Sequence, residues 1–227
     1  MTLAWLTGAS RGIGRATAVR LAQRGVAVVA FGRDTTRLAS VSQQVAGLGA
    51  ELAVAQADLV DAEETVRACR HQIEQGAIPD VVINNAGEIE RARVEDLTLD
   101  AWERQLAVNL RAPFLITREV LPAMRARGRG RIIHVGSISS TLGTAGASAY
   151  CASKWGIVGF MKSLAEELRD SGVTTIAVLP GSVDTDMLKG SGFTPRMAAD
   201  DVARTIVHYA LDAPEGHNGS VIEMLGV

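Results

Sequence analysis

Short apolar runs alternate with amphipathic stretches along the chain. The runs at 2–6, 26–31, 51–56, 80–84, 131–136, 173–179 and 220–224 predict strands. Amphipathic stretches at 12–24, 35–47, 61–75, 99–127, 149–170 and 199–212 predict helices. A break is expected near Pro113, because proline lacks the N–H a helix interior needs. Several strand segments are apolar throughout, such as Val26-Ala27-Val28-Val29-Ala30-Phe31. A strand covered on both faces reads that way. Strand–helix alternation implies right-handed crossovers and a three-layer, doubly wound α/β fold. The expected sheet has seven strands, mostly or wholly parallel. Residues 182–198 break the pattern, in a Gly- and Ser-containing region before the last helix.

Composition narrows the picture. At 227 residues, one domain over 1–227 is the default, with room for a substantial core. The chain is 47% hydrophobic with 23 glycines, which suits a buried sheet with tight turns. A net charge of −2 gives no nucleic-acid footprint. The basic stretch from Arg125 to Arg131 closes a helix, where cations offset the macrodipole. Cys69 and Cys151 match no zinc spacing, and the four histidines do not cluster, so no metal is expected. No apolar run reaches ~18 residues and no signal peptide is evident, so no membrane span and a cytoplasmic location are expected.

Thr7-Gly8-Ala9-Ser10-Arg11-Gly12-Ile13-Gly14 joins the first strand to the first helix. Glycines permit a tight turn and close approach of a pyrophosphate, and a helix N-terminus supplies free N–H groups. The second strand ends Phe31-Gly32-Arg33-Asp34. An acid at that point would hold a ribose 2′-hydroxyl, whereas arginine suits a 2′-phosphate. Gly32 stands at the expected acidic position. Arg33 follows it, and Arg11 could reach the same phosphate. NADP is therefore expected, with NAD the alternative if Asp34 is the ribose ligand rather than a helix cap.

Tyr150 and Lys154 are four apart on one predicted helix, hence on one face. A nearby ammonium favours the phenolate, which suits proton exchange with an alcohol. Ser137 lies thirteen residues before Tyr150. Ser139 and Ser140 are neighbouring candidates, but the spacing favours Ser137. His134, inside a strand, reads as a core histidine.

These motifs, with Asn84-Asn85-Ala86-Gly87, Asn109 and Pro180-Gly181-Ser182-Val183-Asp184-Thr185, resemble the short-chain dehydrogenase/reductase family in its single-domain Rossmann form. The likeness covers nearly the whole chain. Its N-terminal half is most similar to the 3-oxoacyl-carrier-protein reductase branch. The resemblance implies that Tyr150 is the general acid and base and that Lys154 lowers its pKa and holds the nicotinamide ribose. It implies that Ser137 donates to the substrate oxygen and that Asn109 holds a water linking Lys154 to solvent. Gly8, Ser10, Arg11, Gly12, Ile13, Gly14, Arg33, Asp58, Asn85, Ala86, Gly87, Pro180, Gly181, Val183 and Thr185, with Tyr150 and Lys154, would line the cofactor site. Asp58 would contact adenine or merely cap a helix. Asn84 reads as structural. The expected partner is a small carbonyl or alcohol compound. The family's habit of pairing long helices implies a homo-oligomer, tetramer or dimer.

Two features depart from the family pattern. Glu88 follows the N-N-A-G where many relatives carry an apolar residue, and it could face the site or water. Residues 182–198 form a short lid, which favours a small or exposed carbonyl. A binding-only sensor on the same fold is the second functional reading, but it has no chemical need for the Ser-Tyr-Lys-Asn set. A sugar epimerase or dehydratase of the extended branch is the third. The chain lacks that branch's added domain and its G-x-x-G-x-x-G turn.

Overall fold

The computed structural model describes residues 2–226. Seven strands form one sheet: β1 (Leu3–Thr7), β2 (Ala27–Gly32), β3 (Leu52–Gln56), β4 (Val81–Asn84), β5 (Gly130–Val135), β6 (Val173–Pro180) and β9 (Val221–Met224). Their order is β3-β2-β1-β4-β5-β6-β9, and every pairing is parallel. The wholly parallel seven-stranded sheet expected from the sequence is thus present. Two further strands, β7 (Val183–Asp184) and β8 (Met197–Ala198), pair only with each other. They are too short to show a periodic signal, and the sequence pattern does not predict them.

Helices cover both faces. Helices α1 (Gly12–Gln23), α2 (Thr35–Ala46) and α7 (Ala199–Leu211) pack on one side through Leu21, Val41 and Ile206. Helices α3 (Ala62–Glu74), α5 (Ala112–Arg127) and α6 (Ser148–Glu167) pack on the other through Cys69, Val120 and Leu164. The strands feed both cores by alternation. In β1, Ala4 and Leu6 face the first core, and Trp5 faces the second, 4.9 Å from the ring of Phe31.

Asp34, Asp61 and Thr98 cap α2, α3 and α4 (Leu99–Leu106) by accepting backbone N–H bonds. The predicted single helix over 99–127 is two, joined by a π-helical segment, Ala107–Arg111. The break therefore lies ahead of Pro113, which is accommodated in the first turn of α5. Such segments often mark functional sites, and this one carries Asn109.

Sheet order reverses between β1 and β4. β2 lies on one side of β1 and β4 on the other, so the loops leaving β1 and β4 diverge. A crevice opens at their carboxyl ends, where ligands bind in folds of this type.

Candidate active site

The loops after β1 and β4 are locked together. The Thr7 hydroxyl accepts from the backbone N–H of Asn85 and of Ala86, each at 2.9 Å. The Asn85 amide donates to the Thr7 carbonyl at 3.0 Å and to the Gly8 carbonyl at 3.3 Å. Asn85 therefore builds the turn with its side chain.

At Gly8 and Gly14 the turn has no room for a side chain. Gly8 and Gly12 have φ of 70° and 53°. A Cβ on Gly14 would lie 2.1 Å from the Gly8 carbonyl oxygen. The first turn of α1 has no side-chain cap, unlike α2, α3 and α4. Its N–H groups face the crevice, as an anion site at a helix N-terminus requires. These features fit a dinucleotide pyrophosphate.

The crevice is a cleft of about 670 Å³. Every expected site residue lines it except Asn109. Asn109 is buried at the base of the loop after β4. Its Oδ1 accepts from the Glu88 N–H at 2.8 Å, and its Nδ2 donates to the Glu88 carbonyl at 2.8 Å and to the Ser153 hydroxyl at 3.0 Å. Both amide hydrogens are spent on protein, so the side chain fixes the loop. Glu88, at the cleft lining, pairs with Arg104 on α4, which ties the loop to that helix.

At the reacting end, Ser137, Tyr150 and Lys154 converge from β5's exit and α6. Ser137 Oγ accepts from the Ser139 N–H at 3.1 Å, and Ser140 Oγ accepts from the Ser137 N–H at 3.3 Å. This small box aims the Ser137 hydroxyl and occupies Ser140. Of these serines it is Ser137 whose hydroxyl acts on the Tyr150 phenol, favouring its ionised form.

Burial pushes the Tyr150 pKa up. The Ser137 hydrogen bond and the Arg91 guanidinium act the other way without overcoming it. The expected lowering by Lys154 is not what this arrangement produces. The Lys154 Nζ donates to the Val135 carbonyl at 2.9 Å and stands 5.6 Å from the phenol ring centroid. Burial brings Lys154 down to about 8.

At the other end, Asp34 Oδ1 accepts from the Arg37 N–H at 3.0 Å, so it serves as the cap of α2. Arg33 pairs with Asp58 at 3.3 Å, and Asp58 also accepts from the Val60 N–H at 3.0 Å. Arg11 does not join Arg33. It reaches across to Asp186 at 3.4 Å, in the segment after β7. Arg37, which the sequence reading did not single out, lines the cleft beside Arg33 instead. Its place one turn into α2 was the available signal. Thr185 sits over the turn, its methyl 3.1 Å from where a Gly12 Cβ would be.

Outside the cleft, burial pushes the Cys69 thiol up to about 12, which makes it unreactive. No cluster of metal-binding side chains occurs among the described residues. No helix among them is long and apolar enough to cross a membrane.

Comparison with known proteins agrees with this geometry. The short chain dehydrogenase family model matches residues 2–194, and the chain belongs to that family. It is an oxidoreductase by that membership. A 3-oxoacyl-[acyl-carrier-protein] reductase of Synechocystis is 34% identical over 203 residues, covering 89% of this chain and 82% of that protein. An uncharacterised oxidoreductase of Staphylococcus epidermidis is 32% identical and covers 95% and 93%. Among solved structures, a candidate NAD(P)-dependent gluconate 5-dehydrogenase from Beutenbergia cavernae, with NADP bound at low occupancy, matches with TM-score 0.91 and 33% identity. It covers 98% of this chain and 94% of that one.

Proposed function

We propose that this chain interconverts a carbonyl and an alcohol with NADPH as cofactor, Tyr150 being the group that exchanges the proton. The observation that carries this reading is the convergence of Ser137, Tyr150 and Lys154 at one end of the cleft that the glycine turn closes at the other. When bound, the cofactor supplies or takes the hydride, and the protein supplies orientation and electrostatics. The glycine turn and the N-terminus of α1 hold the pyrophosphate. Lys154 holds the nicotinamide ribose, and Pro180, Gly181, Val183 and Thr185 bound the nicotinamide. Ser137 donates to the substrate oxygen as charge develops there. A phenol that burial keeps protonated is well set to give its proton during reduction. Asn109 acts as a positioning residue, its amide engaged with Glu88 and Ser153. Residues 182–198 form the lid of the one domain. A panel of carbonyl compounds, assayed for oxidation of NADPH and NADH, tests the reading directly. No turnover of any compound would refute it.

NADPH should be preferred over NADH by at least tenfold, because a 2′-phosphate gains charge-assisted bonds of about 1.5–3 kcal/mol each from guanidinium groups. Arg33 and Arg37 are the groups placed to provide them, and Gly32 offers no carboxylate to repel the phosphate. The NADP-bound relative supports this choice. Gly32→Asp should move preference towards NADH. Arg33→Ala should weaken NADPH use and spare NADH. Equal kcat/KM for the two cofactors in the wild type would mean that the 2′-phosphate is not read here.

The active form is a homo-oligomer assembled through α5 and α6. Phe114 and Trp155 are 43% and 53% exposed on that face. Phe114 lies beside an apolar groove formed by Leu106, Leu110 and Phe160. Val158 and Phe160, on α6, are half-buried against the cores. Light scattering at micromolar concentration should give a mass two or four times the 23.9 kDa of the chain. Particles of one chain's mass would overturn the assembly.

A further inference from the structure

Four guanidinium groups line the cleft: those of Arg11, Arg33, Arg37 and Arg91. Three are matched by carboxylates, Arg11 by Asp186 at 3.4 Å, Arg33 by Asp58 at 3.3 Å and Arg37 by Asp34 at 3.2 Å. Among the described residues, Arg91 has no carboxylate within 4.0 Å. The acid nearest to it in the cleft lining by sequence, Glu88, is already taken by Arg104.

Arg91 is also held in place. Its Nη2 donates to the Met187 carbonyl at 3.2 Å, bridging the loop after β4 and the lid. That contact uses one corner of the guanidinium and leaves further N–H donors for a ligand. The cation acts on the reaction centre, since it favours the ionised form of the Tyr150 phenol. Arg91 is exposed at the cleft, and the tether holds it against the lid rather than free in solvent. An unmatched cation lining the same cleft as Ser137 and Tyr150 calls for an anion from the ligand, and a guanidinium fork suits carboxylate or phosphate oxygens.

We propose that Arg91 binds an anionic group of the substrate, which is therefore a small carbonyl or alcohol compound bearing a carboxylate or phosphate. This rests on the oxidoreductase reading given above and adds the substrate class. The ion pairs at the cleft support it, because they match the lining carboxylates that would repel such a substrate: Glu88 with Arg104, Asp186 with Arg11 and Lys189, Asp58 with Arg33 and Asp34 with Arg37. Leu142 and Phe193 line the same cleft and are 57% and 59% exposed, so they provide apolar contact for a short carbon chain.

The test uses matched probes with the intact protein and NADPH. Short 2-, 3- and 4-keto acids are compared with their amides, and dihydroxyacetone phosphate with dihydroxyacetone. The charged member of one set should exceed its neutral partner in kcat/KM by at least about tenfold, through KM, as one charge-assisted contact predicts. The set that shows this identifies the anion as carboxylate or phosphate. Arg91→Gln should collapse the ratio towards unity, and Arg91→Lys should keep part of it. Circular dichroism and NADPH affinity check that both variants are folded. If wild type treats charged and neutral members alike, or Arg91→Gln leaves the ratio standing, the assignment is overturned while the oxidoreductase reading survives. If no probe is reduced at all, that reading fails and this one falls with it.

Discussion

Replacing Tyr150 by Phe should lower kcat by about 10² or more, the usual scale for a lost general acid. The change removes one hydroxyl from a side chain that is 7% exposed and keeps the ring that packs in α6. The fold and NADPH affinity should therefore persist. Burial raises the phenol's pKa, so the wild-type acid is protonated through neutral pH. The rate of reduction should then hold steady across that range and fall only on the alkaline side, while Tyr150→Phe abolishes the alkaline limb. The measurement is steady-state turnover against pH with the best carbonyl probe. A variant retaining a tenth of wild-type turnover would move the proton donor elsewhere, with Ser137 the first candidate.

Acidification should destabilise the protein through His134. This residue is completely buried in β5, its Nδ1 3.3 Å from the Asn84 amide and its ring 5.6 Å from that of Phe160. Burial, and after it the charge on Lys154, brings its pKa from 6.5 down to about 3. The folded state therefore binds this proton less readily than the unfolded chain does. Where the unfolded state holds more protons, stability falls as pH falls. The loss begins near pH 6.5, runs at about 1.4 kcal/mol per pH unit and ends near pH 3. Between pH 7 and 5 it amounts to about 2 kcal/mol. His134→Val, suited to a strand, removes this term while leaving the carboxylates that also titrate. It leaves the Asn84 amide unpaired, which lowers stability at every pH without changing the slope. Urea denaturation of both proteins at pH 7, 6 and 5 separates the two effects. Parallel pH dependence in wild type and variant would show that His134 is not held neutral by the fold.

Both predictions draw on features that differ in how far the sequence exposes them. The seven sheet strands were legible to within a residue or two, because a strand buried on both faces must be apolar along its length, as in Val81-Val82-Ile83. The glycine turn was legible for a similar reason. Positive φ at Gly8 and Gly12 is a local requirement, and local chemistry meets it. The Tyr150–Lys154 pair follows from helix spacing, although spacing could not say that Lys154 turns its amine to the Val135 carbonyl. The proline rule expects the helix break near Pro113, and the register changes just ahead of it at Ala107–Arg111, where Asn109 is fastened to Glu88 and Ser153.

What the sequence alone determined was therefore the layer architecture, the glycine turn and the helical spacing of Tyr150 and Lys154. Tertiary structure decided their partners. Arg11 meets Asp186 across 175 positions, Thr7 meets Asn85 across 78, and Arg91 reaches Met187 across 96. Periodicity and propensity act over a few residues and leave a trace in the chain. A contact between distant loops leaves none, because it depends on which strand ends the parallel sheet brings side by side.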